Sequence, residues 1–141
     1  MHHLFNLFQI LLGILCYDGW FYLSHVVLHT HALRPYHAIH HRHETPTMWQ
    51  TYKGHWIEGP FQGLGLLIPF PYPCWQFLAA FIFVNVRGIM RHDERFVWLI
   101  GNHHLLHHKF PTYNYGEYWI DTLCGTRYPE TTAYQRGLLY T

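Results

Sequence analysis

Apolar and polar positions are unevenly distributed along this chain. The first apolar stretch, LFNLFQILLGILCYDGWFYLS at residues 4–24, predicts a helix that is apolar on every side. At about 1.5 Å per residue it would cross a hydrocarbon core of about 30 Å. Asn6, Gln9 and Asp18 are its only strongly polar interruptions. A secretory signal is the rival reading. The segment lacks a basic start and a small-residue cleavage site, and it runs straight into histidines. The second stretch covers residues 60–90. Pro69, Pro71 and Pro73 should break any helix there. Residues 61–68 are too short to span a bilayer, and residues 74–90 are nearly long enough. This pattern predicts a helical hairpin that enters a bilayer and returns to the side it came from. A single kinked span and a buried hairpin in a soluble helical protein are the alternatives.

Three polar blocks, residues 25–58, 91–108 and 109–141, surround these stretches. They carry every histidine except His2 and His3. If the hairpin returns, all three blocks face the same side. The expected fold is all-α, with integral-membrane helices below a histidine-rich helical cap. One domain is expected over residues 1–141, since no linker divides the chain. Apart from the histidine boxes it shows no internal repeat.

Composition narrows the chemistry. Only 12% of residues are charged and the net charge is +1, so no basic field exists to hold nucleic acid. Cys16, Cys74 and Cys124 form no CxxC pair, which argues against a cysteine zinc site or a disulfide framework. They read as ordinary apolar residues.

The 15 histidines are the informative residues. His25 and His29 are four apart, which on a helix places both rings on one face. His37, His40 and His41 form HAIHH, and His104, His107 and His108 form HLLHH. A single HxxxH pair is common by chance, but two HxxHH boxes beside one in so short a chain point to metal. Neutral imidazole suits iron, copper, nickel and zinc. Eight such ligands exceed the four of a structural zinc site, so two ions are expected. Two adjacent redox metals can hold and split O2, and iron is the favoured metal. His55 in GHWIEG and His92 in RHDER flank the second apolar stretch and are expected to complete the ligand set. A hydrogen-bonded interfacial histidine is the alternative for each. His31, His43 and His103 break the box spacing and are expected to lie behind the ligands or in solvent. His2 and His3 read as terminal surface residues.

Metal-bound imidazoles usually donate their second N–H to a carboxylate, a carbonyl or water. Asp18 lies in an apolar helix, two turns before His25, where an ionisable group is costly. It is expected to orient a ligand. Asn114 and Asp121 are expected beside the ligands as well. Glu44 and Glu94 read as surface charges. Asn114-Tyr115-Gly116 reads as a turn in which Gly116 can take a positive φ.

The motifs DGWFYLSHVVLH, HAIHH, PTMWQTYKGH, NVRGIMRHD, HLLHHKFPTYNYG and WIDTLCGT, in this order, resemble the fatty acid hydroxylase / sterol desaturase superfamily of membrane di-iron enzymes. Within it the chain is most similar to the sterol C5-desaturase branch. Pro46, Thr47 and His55, and Asn85, His92 and Asp93, match that branch. Tyr52 stands where the branch usually has another histidine, and further helices usually precede the first box, so the domain is expected to be N-terminally short. The resemblance implies a di-iron centre and O2 as co-substrate. It implies a membrane lipid, sterol or fatty-acyl, that is hydroxylated or desaturated. Electrons would come from outside, from cytochrome b5 or a ferredoxin with its reductase. The membrane would be the endoplasmic reticulum in a eukaryote and the inner membrane in a bacterium. A non-catalytic metal-binding or transport protein is the competing function. A transporter should place its histidines within the spanning segments, whereas these cluster outside them. The substrate pocket is expected between the hairpin and the aromatics Trp49, Tyr52, Trp56 and Tyr113.

Overall fold

A computed structural model describes residues 2–70 and 72–139. Pro71, one of the three expected helix breakers, and the terminal residues of the expected 1–141 domain lie outside the described residues. Among those described, the chain is helical and has no strand. The helices in order are α1 (His2–Leu28), α2 (Arg34–His37), α3 (Glu58–Gly63), α4 (Trp75–Arg91), α5 (Val97–Ile100), α6 (His103–Lys109) and α7 (Tyr118–Cys124), joined by short 3-10 turns.

α1 is the one described helix long and apolar enough to cross a membrane. Its leucines at positions 4, 7, 11 and 15 all face outward, as a helix that is apolar all round requires when lipid surrounds it. Each of its three polar interruptions finds a partner on α4. The Gln76 amide donates to Asn6 Oδ1 at 3.0 Å and to Gln9 Oε1 at 2.9 Å, and Arg87 donates through both terminal nitrogens to the Asp18 carboxylate. The positions pair in ascending order, so α1 and α4 run parallel.

The segment between them supplies the return. Trp20 Nε1 donates to the Phe61 carbonyl, Gly65 sits against Tyr17 and Trp20, and Phe70 sits against Gly13. The chain therefore descends α1 from the level of Trp20 to that of Gly13, turns, and climbs back as α4. A Cβ on Gly13 would stand 2.4 Å from the Phe70 ring, and one on Gly65 2.7 Å from Trp20 Cβ. Both glycines are thus fixed by close approach. Leu66, Phe70, Ala80 and Val84 form the core of this three-segment base. Cys74 starts α4 by accepting from the Phe77 N–H. All three cysteines are free.

The histidine-bearing segments lie at the upper ends of α1 and α4. The C-terminal strap is tied to α5 by the bonds Leu138 N–H to Trp98 O and Leu139 N–H to Leu99 O. In the expected turn, Asn114 rather than Gly116 takes the positive φ, at 59°. Gly116 is needed for space instead, since a Cβ there would lie 3.0 Å from the Tyr22 side chain.

Candidate metal centre

Nine histidines converge into two groups. His25, His29, His37, His41 and His107 form one, and His40, His92, His104 and His108 form the other. The assignment follows helical geometry. Residues four apart are offset by about 40° around a helix, and residues three apart by about 60° the other way. The pairs His25/His29, His37/His41 and His104/His108 each stay within one group, while His40 and His107 cross to the other. Both HxxHH boxes therefore donate to both groups and lock them side by side.

The protonation pattern shows what the groups can hold. Nδ1 of His25 lies 2.5 Å from the Tyr115 carbonyl, that of His107 2.6 Å from the Tyr113 carbonyl, that of His92 2.7 Å from the Gly88 carbonyl, and that of His40 3.2 Å from the Lys53 carbonyl. A carbonyl only accepts, so each of these nitrogens carries the hydrogen. Nδ1 of His37 is 2.7 Å from Glu58 Oε2 and donates in the same way. A neutral imidazole has one N–H, so the Nε2 of His25, His107, His92 and His40 is a bare lone pair. Yet His40 Nε2 and His92 Nε2 are 3.0 Å apart. With no hydrogen between them, such pairs repel unless a cation sits among them.

The rings are also held neutral. Burial, with His37 and other neighbours, lowers His29 to about 3. Burial lowers His40 to about 4 and His92 to about 3, and it pushes His41, His104, His107 and His108 well below the ordinary value. Both ring nitrogens of His108 are buried without a hydrogen-bond partner. At a metal–nitrogen distance of about 2.1 Å, ligands at right angles stand about 3.0 Å apart and tetrahedral ligands about 3.4 Å. Six neighbouring pairs have Nε2 separations of 3.0 to 3.2 Å, short enough for both members of a pair to reach one cation. The donor set therefore fits two cations.

The expected ligand His55 stands apart from both groups. Its ring packs between Tyr36 and Trp56, and its backbone N–H donates to Glu58 Oε1 at 2.8 Å. His55 lines the same cleft as His40 and His92 without joining either group. Asp18 does not orient His25 either, because its carboxylate is taken by Arg87. Arg87 and Arg91 also reach Glu117, which ties α1, α4 and the start of α7 together.

Asp121 supports the centre at one remove. It accepts from Tyr115 N–H at 2.9 Å, Gly116 N–H at 2.8 Å, the Thr126 hydroxyl at 2.6 Å and His103 at 3.0 Å, and so fixes the loop whose carbonyls hold His25 and His107. Asn114 braces the same loop. It donates to His103 O and accepts from Tyr128 N–H and the Tyr134 hydroxyl. His103 is buried behind the ligands, while His31 and His43 are exposed. Glu58 is the residue that the sequence did not single out for orienting a ligand. Its position, 21 residues from His37, carries no local signal.

A cleft of about 680 Å³ rises between α1, the return segment and α4 and ends at the histidines. Phe21, Leu66, Phe77 and Phe81 line its apolar part, and His40, His92 and His104 close its upper end. Tyr52 and Trp56 also line it, but Trp49 and Tyr113 do not. Tyr113 contributes its carbonyl to His107 instead.

This arrangement defines a class: an all-helical chain with a membrane-length helix and paired histidine groups able to hold metal at the end of an apolar cleft. The family model for fatty acid hydroxylase matches residues 10–126, and the chain belongs to that family. It is 31% identical to the Delta(7)-sterol 5(6)-desaturase of Gibberella zeae over 95% of this chain and 42% of that protein. With the lathosterol oxidase of Homo sapiens it shares 31% identity over 82% of this chain and 44% of that protein. With a Delta(7)-sterol 5(6)-desaturase of Schizosaccharomyces pombe the figures are 29%, 93% and 44%. The chain thus spans under half the length of these relatives. No solved structure matches it.

Proposed function

We propose that this chain forms the catalytic part of a membrane-bound, O2-dependent lipid hydroxylase or desaturase holding two iron ions, with a sterol as the favoured substrate. The observation that carries the reading is the convergence of bare imidazole lone pairs at the closed end of an apolar cleft. The names of the relatives favour a sterol. When bound, the iron pair supplies the activation of O2 needed to remove hydrogen from an unactivated C–H bond. In desaturation, a CH–CH unit, O2, two electrons and two protons give a C=C bond and two waters; in hydroxylation the same inputs and one C–H bond give an alcohol and one water. The electrons come from an external donor, cytochrome b5 or a ferredoxin with its reductase. The site of action is the endoplasmic reticulum in a eukaryote or the inner membrane in a bacterium.

The chain's own residues bind and orient. The apolar walls take the lipid body and exclude water. The carbonyls of Tyr113, Tyr115, Gly88 and Lys53, with the Glu58 carboxylate, hold five imidazoles with Nε2 turned inward. The test is elemental analysis of the detergent-purified chain after iron loading, followed by a search of lipid extracts from expressing cells. About two irons per chain, lost in His107→Ala/His108→Ala together with an oxidised or desaturated sterol, is the expected result. One zinc per chain, or product formation unchanged in that variant, would overturn the reading.

A further inference from the structure

The two histidine groups differ in what they face. The cleft is lined by His40, His92 and His104 of the four-histidine group, and by His25 alone of the five-histidine group. His25 is held from both ends, by the Tyr115 carbonyl through Nδ1 and beside His37 through Nε2. The count of donors points the same way. A group of five imidazoles would leave a bound cation less room for an outside ligand than a group of four. The wall beside the four-histidine group is also cut back. Gly88 lines the cleft, its carbonyl holds His92, and a Cβ added to it would meet no atom within 4 Å.

We infer that the two groups divide the work: the four-histidine group, His40, His92, His104 and His108, is the half of the centre that meets substrate and small exogenous ligands, and the five-histidine group is its closed partner. This rests on the dinuclear reading above. It makes His40, His92 and His104 the side chains against which the reacting carbon is placed.

The test uses the full chain in detergent, loaded anaerobically with ferrous iron, with nitric oxide as the probe and the electron paramagnetic resonance signal of the iron nitrosyl as the readout. His29→Ala/His41→Ala dismantles the five-histidine group, and His40→Ala/His108→Ala dismantles the four-histidine group. The nitrosyl signal per bound iron should persist in the first variant and fall about tenfold or more in the second. Equal signals per iron, or a signal kept only in the second, would overturn the inference. Asn85→Phe is measured beside them, in case a double variant loses all its metal. It puts a ring into the cleft on α4, one turn before Gly88, and touches no ligand or ligand-holding carbonyl. Its metal content should match that of the unsubstituted chain while nitrosyl formation slows about tenfold. An unchanged rate at full metal content would overturn the inference by itself. Fewer than about two metals in the unsubstituted chain would instead overturn the dinuclear reading, and the division of roles with it.

Discussion

His37 Nδ1 and Glu58 Oε2 lie 2.7 Å apart, and Glu58 is the one carboxylate among the described residues that hydrogen-bonds directly to a ligand-group histidine. The other tethered rings are held by neutral carbonyls. A carboxylate acceptor raises the basicity of the far nitrogen and fixes the ring. Glu58→Ala should therefore weaken metal binding by about 10- to 100-fold, and Glu58→Gln should weaken it less, because the amide oxygen can still accept from Nδ1. Competition against a chelator of known affinity measures both. Equal losses in the two variants would mean that the side chain serves only as filler.

Asp121 is fully buried and accepts four hydrogen bonds. Asp121→Asn exchanges an acceptor oxygen for a donor facing N–H groups, a loss of about 2–4 kcal/mol once buried donors go unmatched. Because the loop it fixes carries the carbonyls of Tyr113 and Tyr115, metal affinity should fall together with thermal stability. Thermal unfolding with and without added metal checks this: a variant as stable as the parent in both conditions would remove Asp121 from the support of the centre.

The Asp18–Arg87 pair holds α1 to α4 and touches no histidine ligand. Asp18→Ala should cost about 3–5 kcal/mol, the usual result of removing one partner from a buried pair, with the metal count per folded chain unchanged. Detergent-phase unfolding and elemental analysis separate the two effects. Loss of metal from the folded variant would restore the role expected from sequence, in which Asp18 orients a ligand.

Acid should unfold the metal-free chain in a defined direction. His29, His40 and His92 titrate near 3, 4 and 3 when folded, against about 6.5 when unfolded. Below about pH 6.5 the unfolded chain binds protons that the folded chain refuses, so stability is lost as pH falls from there toward the folded values. The slope is about 1.4 kcal/mol per pH unit for each proton taken up. Bound metal should shift the transition to lower pH, since it competes for the same lone pairs. A metal-free chain equally stable at pH 7 and pH 5 would contradict this.

The histidines brought together were largely legible because helical spacing is a local property. The three boxes at separations of three and four already specify eight of the nine histidines brought together, and even their division follows from the spacing, since the members four apart share a group. His92 was placed by its position after the apolar stretch and by its match to the sterol desaturase branch. The same reasoning suggested His55, which turned out to pack between Tyr36 and Trp56. What sequence could not supply was pairing across long separations. Asp18 finds Arg87 at a separation of 69 residues, His37 finds Glu58 at 21, and His25 finds the Tyr115 carbonyl at 90. Such contacts depend on how the base brings segments together, and no local pattern encodes them. The return of the hairpin was readable from its prolines, but the parallel pairing of α1 with α4 emerged only from the partners of Asn6, Gln9 and Asp18.

The shallow return at Phe70, level with Gly13, bears on how such a chain is loaded. If α1 crosses a bilayer, everything after it enters and leaves by one face. The two HxxHH boxes, His92 and the loop that tethers His25 and His107 would then lie together in one compartment. Every histidine of both groups would be exposed to the metal pool of that one side.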